Sequence, residues 1–397
     1  MTPPRALALL VPLAAWACWA PLGAKYATVS WCLVACAMAL AGPSKLRTVL
    51  AAAPGCAAAA ALWAWLALSL AWTAAPLPAA LGQLAQYALP ALLGIIAAGA
   101  PADVARKGLT HFAAASSVAA VVFVLAAAQA LPASTLLWHT TVHAEGNQRI
   151  ASSVLLAMGS VLALWLAAQA GGWRRAAWSA SALLCAVGLA LQDRRSGMLL
   201  LPLLLLAWAW TVERRVSRRG LAVLAIAASA LAAWAGSAVV QQRFDEGLRE
   251  LREYRADDQV ATSWGQRLRM WQLTATMVAE RPLLGHGVGS WKQRWTERVT
   301  PGTPLAANST PHSEFLLLAQ QAGVLAPLLW LVWLGAGWRN AARAGTAGVP
   351  AVLALTAVAW TGLFNAVLRD AKFALPLLLL AALGAAAARG DQGSSPA

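Results

Sequence analysis

The chain has 397 residues, 60% of them apolar and only 11% charged, with a formal net charge of +15 and a mean hydropathy of +0.62. An ordinary soluble domain carries roughly 25% charged residues, so a water-soluble fold is excluded. Apolar runs of about 20 residues recur from end to end without strand-like alternation, which suits membrane-crossing helices and excludes a β-barrel.

Twelve spans are predicted, near 6–22, 26–41, 48–72, 79–99, 108–131, 150–170, 176–192, 197–212, 220–240, 313–337, 347–367 and 372–388. Short breaks with Pro or Gly, such as "APLPAA" and "AGAPAD", separate them. The expected organisation is all-α and polytopic. Residues 1–240 form the first nine helices, 241–312 one large polar loop, 313–388 the last three helices, and 389–397 a disordered tail. A cleaved leader over 1–27 would need a small-x-small cleavage site, and none follows cleanly.

Basic residues set the expected orientation. With the N-terminus inside, the inner segments carry 14 Lys/Arg, including Arg5, Lys45, Arg106, Arg214 and Arg343. The short outer segments carry six: Lys25, Arg149, Arg194, Arg195, Arg369 and Lys372. The remaining ten lie in 241–312, too long a loop for the rule to count. Both termini are therefore expected in the cytoplasm and the large loop outside it. The inner arginines anchor helices and meet anionic lipid, which accounts for much of the charge without nucleic acid. Cys18, Cys32, Cys36, Cys56 and Cys185 fall in or beside spans, and Cys32 and Cys36 have no His or carboxylate beside them to complete a metal site.

Three outer-face segments carry candidate chemistry. In "LQDRRSGM" (191–198), Arg194 and Arg195 defy the positive-inside rule, and guanidinium forks grip phosphate oxygens; a pair snorkelling to lipid headgroups is the plainer alternative. In "GQRLRMW" (265–271), a helix from Ser263 would carry Leu268, Trp271, Leu273, Met277 and Val278 as its apolar stripe. Arg267 and Trp271 then sit one turn apart near that stripe, where a charge needs an anionic partner, while Arg269 points elsewhere. In "NSTPHSEF" (308–315), Thr310 reads as the N-cap and Pro311 as the first helical residue, which places His312 in the first turn. The positive helix end there keeps imidazole neutral and attracts diphosphate. His139 and His143 read as interfacial. The glycines of "RPLLGHGVGSW" (281–291) lack a P-loop ending and read as a flexible turn holding His286.

Taken in order, "RRSG", "QRLRMW", "RPLLGHGVGSW" and "PHSEFLLLAQQAGVLAPLLW" resemble the O-antigen ligase and polymerase family over roughly 190–335. That family usually has a Ser-Arg pair, Asn after the His and Glu before the Gly; here Arg194, Ser313 and Gln321 stand in those places. The resemblance implies an inner-membrane glycosyltransferase similar to the GT-C type. It would move a glycan from undecaprenyl diphosphate, at the periplasmic face, to lipid A-core. Arg195 and Arg267 carry over as catalytic arginines and His312 as general base, with Arg194, Arg269 and Trp271 as diphosphate or glycan contacts. The donor is already activated, so no nucleotide, metal or other cofactor is expected. Asp257–Asp258, the acidic pair in mid-loop, has no His near it in sequence. A polymerase, a protein O-oligosaccharyltransferase and a transporter of anionic or lipid-linked substrates are the alternatives. The transporter would place ionisable residues near the bilayer midplane, and the spans hold almost none.

Overall fold

The computed structural model describes residues 3–20, 28–30, 32, 55–131, 147–192, 194–212, 238–254, 260 and 262–392. Most of the spans expected at 26–41 and 220–240 lie outside these residues, as do His139, His143, Asp257, Asp258 and 393–397. No strand occurs among the described residues. The helices in chain order are α1 (Pro3–Ala17), α2 (Cys56–Leu68), α3 (Leu77–Tyr87), α4 (Leu89–Gly99), α5 (Ala102–Ala127), α6 (Asn147–Gln169), α7 (Gly172–Leu191), α8 (Arg195–Val212) and α9 (Ala238–Arg252). They continue with α10 (Ser263–Glu280), α11 (Trp291–Thr296), α12 (Glu314–Ala322), α13 (Leu325–Arg343), α14 (Val349–Phe364) and α15 (Ala371–Gln392).

Six described segments are long and apolar enough to cross a membrane: Leu77–Gly99, Ala102–Ala127, Gln148–Gln169, Arg195–Val212, Gly345–Phe364 and Ala371–Arg389. Two of the expected spans break, the first of them while still counted among these six. Pro90 has no N–H to continue α3 into α4, so 79–99 becomes two helices. The stretch 313–337 breaks at Gly323, whose φ of 71° ends α12. The last helix continues to Gln392, into the expected tail, where Arg389 donates to the Ala98 carbonyl at the end of α4.

α6 and α15 are the most enclosed of the spanning helices. α6 packs on α7 and α8, and α15 on α14, α4 and α5. Small residues let the backbones close: a Cβ at Gly197 of α8 would lie 2.6 Å from the carbonyl of Ser153 on α6. Leu9, Leu183, Leu328 and Val332 point outward, as lipid-facing side chains do.

A second, smaller core holds the polar region. Met270 and Met277 of α10, Trp291 and Trp295 of α11, Leu305, Leu317 of α12 and Ala366 pack together. The two indoles stack at 4.8 Å, and their N–H groups donate to Thr274 Oγ1 and the Leu305 carbonyl. The buried stripe of α10 is thus Met270, Thr274 and Met277, rotated from the expected one because the helix packs on α11 and α12 as well as on apolar bundle surface.

The Gly-rich turn is wedged in place, not flexible. Gly285, Gly287 and Gly289 all have positive φ. A Cβ at Gly287 would come within 2.2 Å of Thr73 Cα, and one at Gly323 within 2.0 Å of the Leu283 carbonyl oxygen. Gly287→Ala and Gly323→Ala should each cost about 1–3 kcal/mol in backbone strain alone, with the clash added. Thermal unfolding in detergent should show both melting well below wild type. Gly82→Ala, with open space around it, should melt no lower; equal melting of all three would refute this packing.

Candidate functional site

α12 begins where a strained residue ends the preceding loop. Ser313 is the cap, its Oγ accepting the Leu316 N–H at 3.4 Å. Thr310, the expected cap, instead accepts the His312 N–H at 3.4 Å. His312 therefore stands just before the helix, in the left-handed region with φ of 50°. A β-carbon pays about 1 kcal/mol or more there, so surrounding contacts must hold it.

Those contacts come from far along the chain. Asn365, at the end of α14, presents Oδ1 to His312 Nδ1 at 3.4 Å. With the amide so placed, Nδ1 carries the proton and Nε2 keeps its lone pair. Burial first and the nearby Arg267 cation second depress the His312 pKa to about 4, while Asn365 and Asp370 oppose the shift. The ring is neutral, as expected, but through desolvation and Arg267 rather than a helix dipole. Arg369 reaches over the same loop to donate to the Ser309 carbonyl.

α10 brings Arg267. Thr262 caps this helix, its Oγ1 accepting the Gly265 N–H at 3.2 Å. The Arg267 guanidinium lies 6.0 Å from the centre of the Trp264 ring, within cation–π range. Its pKa is lowered by burial first and by the charge of Arg195 second, while Glu250 opposes the shift. Trp271, one turn on, stands 6.4 Å from Trp264 and 6.3 Å from Phe364, and its Nε1 is buried without a hydrogen-bond partner. Arg269 lies about 200° round the helix from Arg267 and is not brought to His312.

The adjacent arginines of α8 diverge. Arg195 faces α9, where Glu250 Oε1 lies at 3.2 Å and Glu246 Oε2 at 3.6 Å. Gly247 leaves room for this: a Cβ there would be 3.2 Å from Arg195 Nη1. Glu250 also accepts the Trp264 N–H at 2.9 Å, so one carboxylate holds both Arg195 and the start of α10. Arg194 turns the other way, toward Arg149 on α6.

Beneath His312 lies a polar layer in the apolar core. Glu314 is fully buried, one oxygen accepting the Leu368 N–H at 2.9 Å. Burial raises its pKa to about 7, against the opposing effects of that bond and of Arg369. Among the described residues no group of three or more His, Cys, Asp and Glu is placed to hold a metal ion. Asn365, Arg369, Glu314, Glu246 and Glu250 were not singled out from sequence. The argument that selected Arg194 and Arg195, basic residues on an outer segment, applied equally to Arg369 in "FNAVLRD".

The fold and site define an all-helical membrane protein with a half-buried histidine and arginines beside the helical bundle. Residues 180–331 match the family model described as O-antigen ligase. The match contains Arg194, Arg195, Arg267, Trp271 and His312 and stops short of Asn365 and Arg369. Gln321, at the position where a Glu was expected, presents its Oε1 to the Gly289 N–H at 3.2 Å, so an acceptor is retained. None of the curated proteins compared with the chain matches it.

Glu250→Ala should release the start of α10. Hydrogen exchange at the Trp264 amide, which has no partner within its own helix, should accelerate roughly tenfold or more. Unchanged protection there, with α14 equally protected in both proteins, would show that Glu250 does not hold α10.

Proposed function

We propose that the protein is an O-antigen ligase of the bacterial inner membrane. It transfers O-antigen from undecaprenyl diphosphate to a hydroxyl of lipid A-core at the periplasmic face, with both termini in the cytoplasm. The observation that carries the reading is that Arg267 acts on neutral His312 and has Arg195 as its own charged neighbour, which links residues from three distant segments of the chain.

The chemistry follows from those groups. The acceptor hydroxyl attacks the anomeric carbon and gives its proton to His312 Nε2, whose other nitrogen is occupied by Asn365. The bond from the anomeric carbon to the phosphate oxygen breaks, and its electrons leave with the lipid diphosphate. Arg267 and Arg195 stabilise that growing charge in a partly dry site. Trp264, Trp271 and Phe364 form an aromatic wall for sugar faces, and the unpartnered Trp271 N–H has a donor to offer. Arg194 serves lipid phosphate from the other side of the α8 start, and Arg269 contributes only to the general field. The donor carries its own activation, so the step needs neither nucleotide nor metal. A single displacement inverts the anomeric centre.

Incubating the purified protein with lipid-diphosphate glycan and lipid A-core, in EDTA, should shift the lipid A-core band on a gel. His312→Ala should slow the shift by about 10²–10⁴, and Arg267→Ala or Arg195→Ala by about 10²–10³, with each variant still inserted and folded. Wild-type rates in all three would remove them from the site. Growth of the lipid-linked glycan without modified lipid A-core would make the protein a polymerase, and glycan on protein hydroxyls a protein O-oligosaccharyltransferase.

The pH profile tests the electrostatics separately. His312 acts only when neutral, so kcat/KM should fall as pH drops toward its free-protein value of about 4. Bound diphosphate offsets the Arg267 charge and raises the histidine's pKa, so the acidic limb of kcat should lie at higher pH than that of kcat/KM. Coincident limbs would mean that Arg267 does not face the diphosphate.

A further inference from the structure

Transfer at His312 leaves one buried ionisable group without a task. Glu314 is the first residue of α12 and has no exposed surface. Burying a carboxyl costs free energy that an apolar side chain would not. Its Oε2 accepts the Leu368 N–H at 2.9 Å, and no backbone carbonyl accepts that N–H among the described residues. Its Oε1 has no hydrogen-bond partner among them.

The Leu368 bond joins segment 309–314 to the 365–370 loop, and two further contacts join the same pair. Arg369 donates to the Ser309 carbonyl, and Asn365 Oδ1 faces His312 Nδ1 at 3.4 Å. The histidine contact is thus long and is bracketed by two bonds from charged side chains. It depends on them, because the Asn365 amide has no second anchor: its Nδ2 is buried without a partner among the described residues. The backbone of the loop therefore decides where Oδ1 stands, and Glu314 grips that backbone from a position two residues beyond His312.

We propose that Glu314 is a positioning residue: its carboxylate holds the 365–370 loop so that Asn365 keeps the His312 proton on Nδ1 and leaves Nε2 free to accept. The effect on transfer rests on the function proposed above; the effect on the ring's tautomer does not. When the loop slackens, Oδ1 withdraws and the ring spends part of its time with the proton on Nε2, where it cannot act as a base. A carboxylate accepts an N–H about twice as strongly as a neutral oxygen, so the hold depends on charge. Burial brings the Glu314 pKa to about 7, so the charge is present above that pH and lost below it. The ionisable groups facing it are Arg369 of the loop and Tyr87 of α3, which both favour the charged form, while α14 presents Gly362. His312 is still neutral through this range, its own value being about 4.

Ring-nitrogen NMR of the full-length protein in detergent, with 15N in histidine alone, reads the tautomer directly, and His312→Ala assigns the signal. Wild type at pH 8 should show only Nδ1–H for His312. Wild type at pH 5.5, and Glu314→Gln at both pH values, should show a mixture with Nε2–H, because glutamine keeps the shape and an acceptor but not the charge. In the transfer assay, wild-type kcat should fall about fivefold through pH 7, the difference between a charged and a neutral acceptor, and level off before the His312 limb. Glu314→Gln should sit at that lower level from pH 5.5 to 8 with KM unchanged. A glutamine that only loosened the fold would lower the active fraction at every pH and keep the step. The wild-type series decides by itself if Glu314→Gln does not fold. Nδ1–H alone in wild type at both pH values, or a step near pH 7 that survives in Glu314→Gln, would overturn the proposal. The expected tautomer shifts in a protein that transfers no glycan would support the hold by Glu314 and remove the transfer reading.

Discussion

The last carbonyls of α12 have no partners within their own helix, and the way they are satisfied determines where His312 stands. His286 and Gly287 donate their N–H groups to the Gln320 and Gln321 carbonyls at 2.8 and 2.7 Å. Trp65 of α2 donates to the Ala322 carbonyl at 2.7 Å. The same turn is bound on its far side, where Ser69 Oγ accepts the Val288 N–H and Thr73 Oγ1 donates to the Val288 carbonyl. A short helix that would drift if it floated on the bundle is therefore pinned at its C-terminal end from two directions. Its N-terminal end, with Ser313 and His312, is placed as a consequence.

Electrostatics does the rest. Burial alone would neutralise an imidazole and make two neighbouring guanidinium groups costly. The chain meets that cost by giving Arg195 two carboxylates on α9 and Arg267 an aromatic face, and by leaving His312 to lose its proton. The carboxylates come from α9, the aromatic face from α10 and the amide beside His312 from the end of α14, so the site exists only once α8, α9, α10, α12 and the 365–370 loop have come together.

The helical class and the positions of six spans were legible because an apolar run of sufficient length has few other folds open to it. Arg194 and Arg195 were singled out because charge on a short outer segment is disfavoured unless something needs it, and His312 because it opens an apolar helix. Asn365 and Glu250 were not, since their partners lie 53 and 55 residues away in sequence, and no local pattern records such a meeting. The expected Thr310 cap failed for a different reason. Two adjacent hydroxyl residues flank Pro311 and His312, and only the left-handed turn at His312 decides which of them caps. The single long span at 313–337 failed because an apolar composition does not report the one glycine that the Leu283 carbonyl requires to be bare.

Glu246 and Glu250 give Arg195 a resident counter-ion. An arriving anion at that guanidinium would displace carboxylates rather than fill an empty field, and the site's net charge would change less than its arginine count implies. Association then releases few bulk ions and is only weakly sensitive to ionic strength. The displaced Glu250 would in turn loosen its grip on the Trp264 N–H, so the first turn of α10 would register whether Arg195 is occupied.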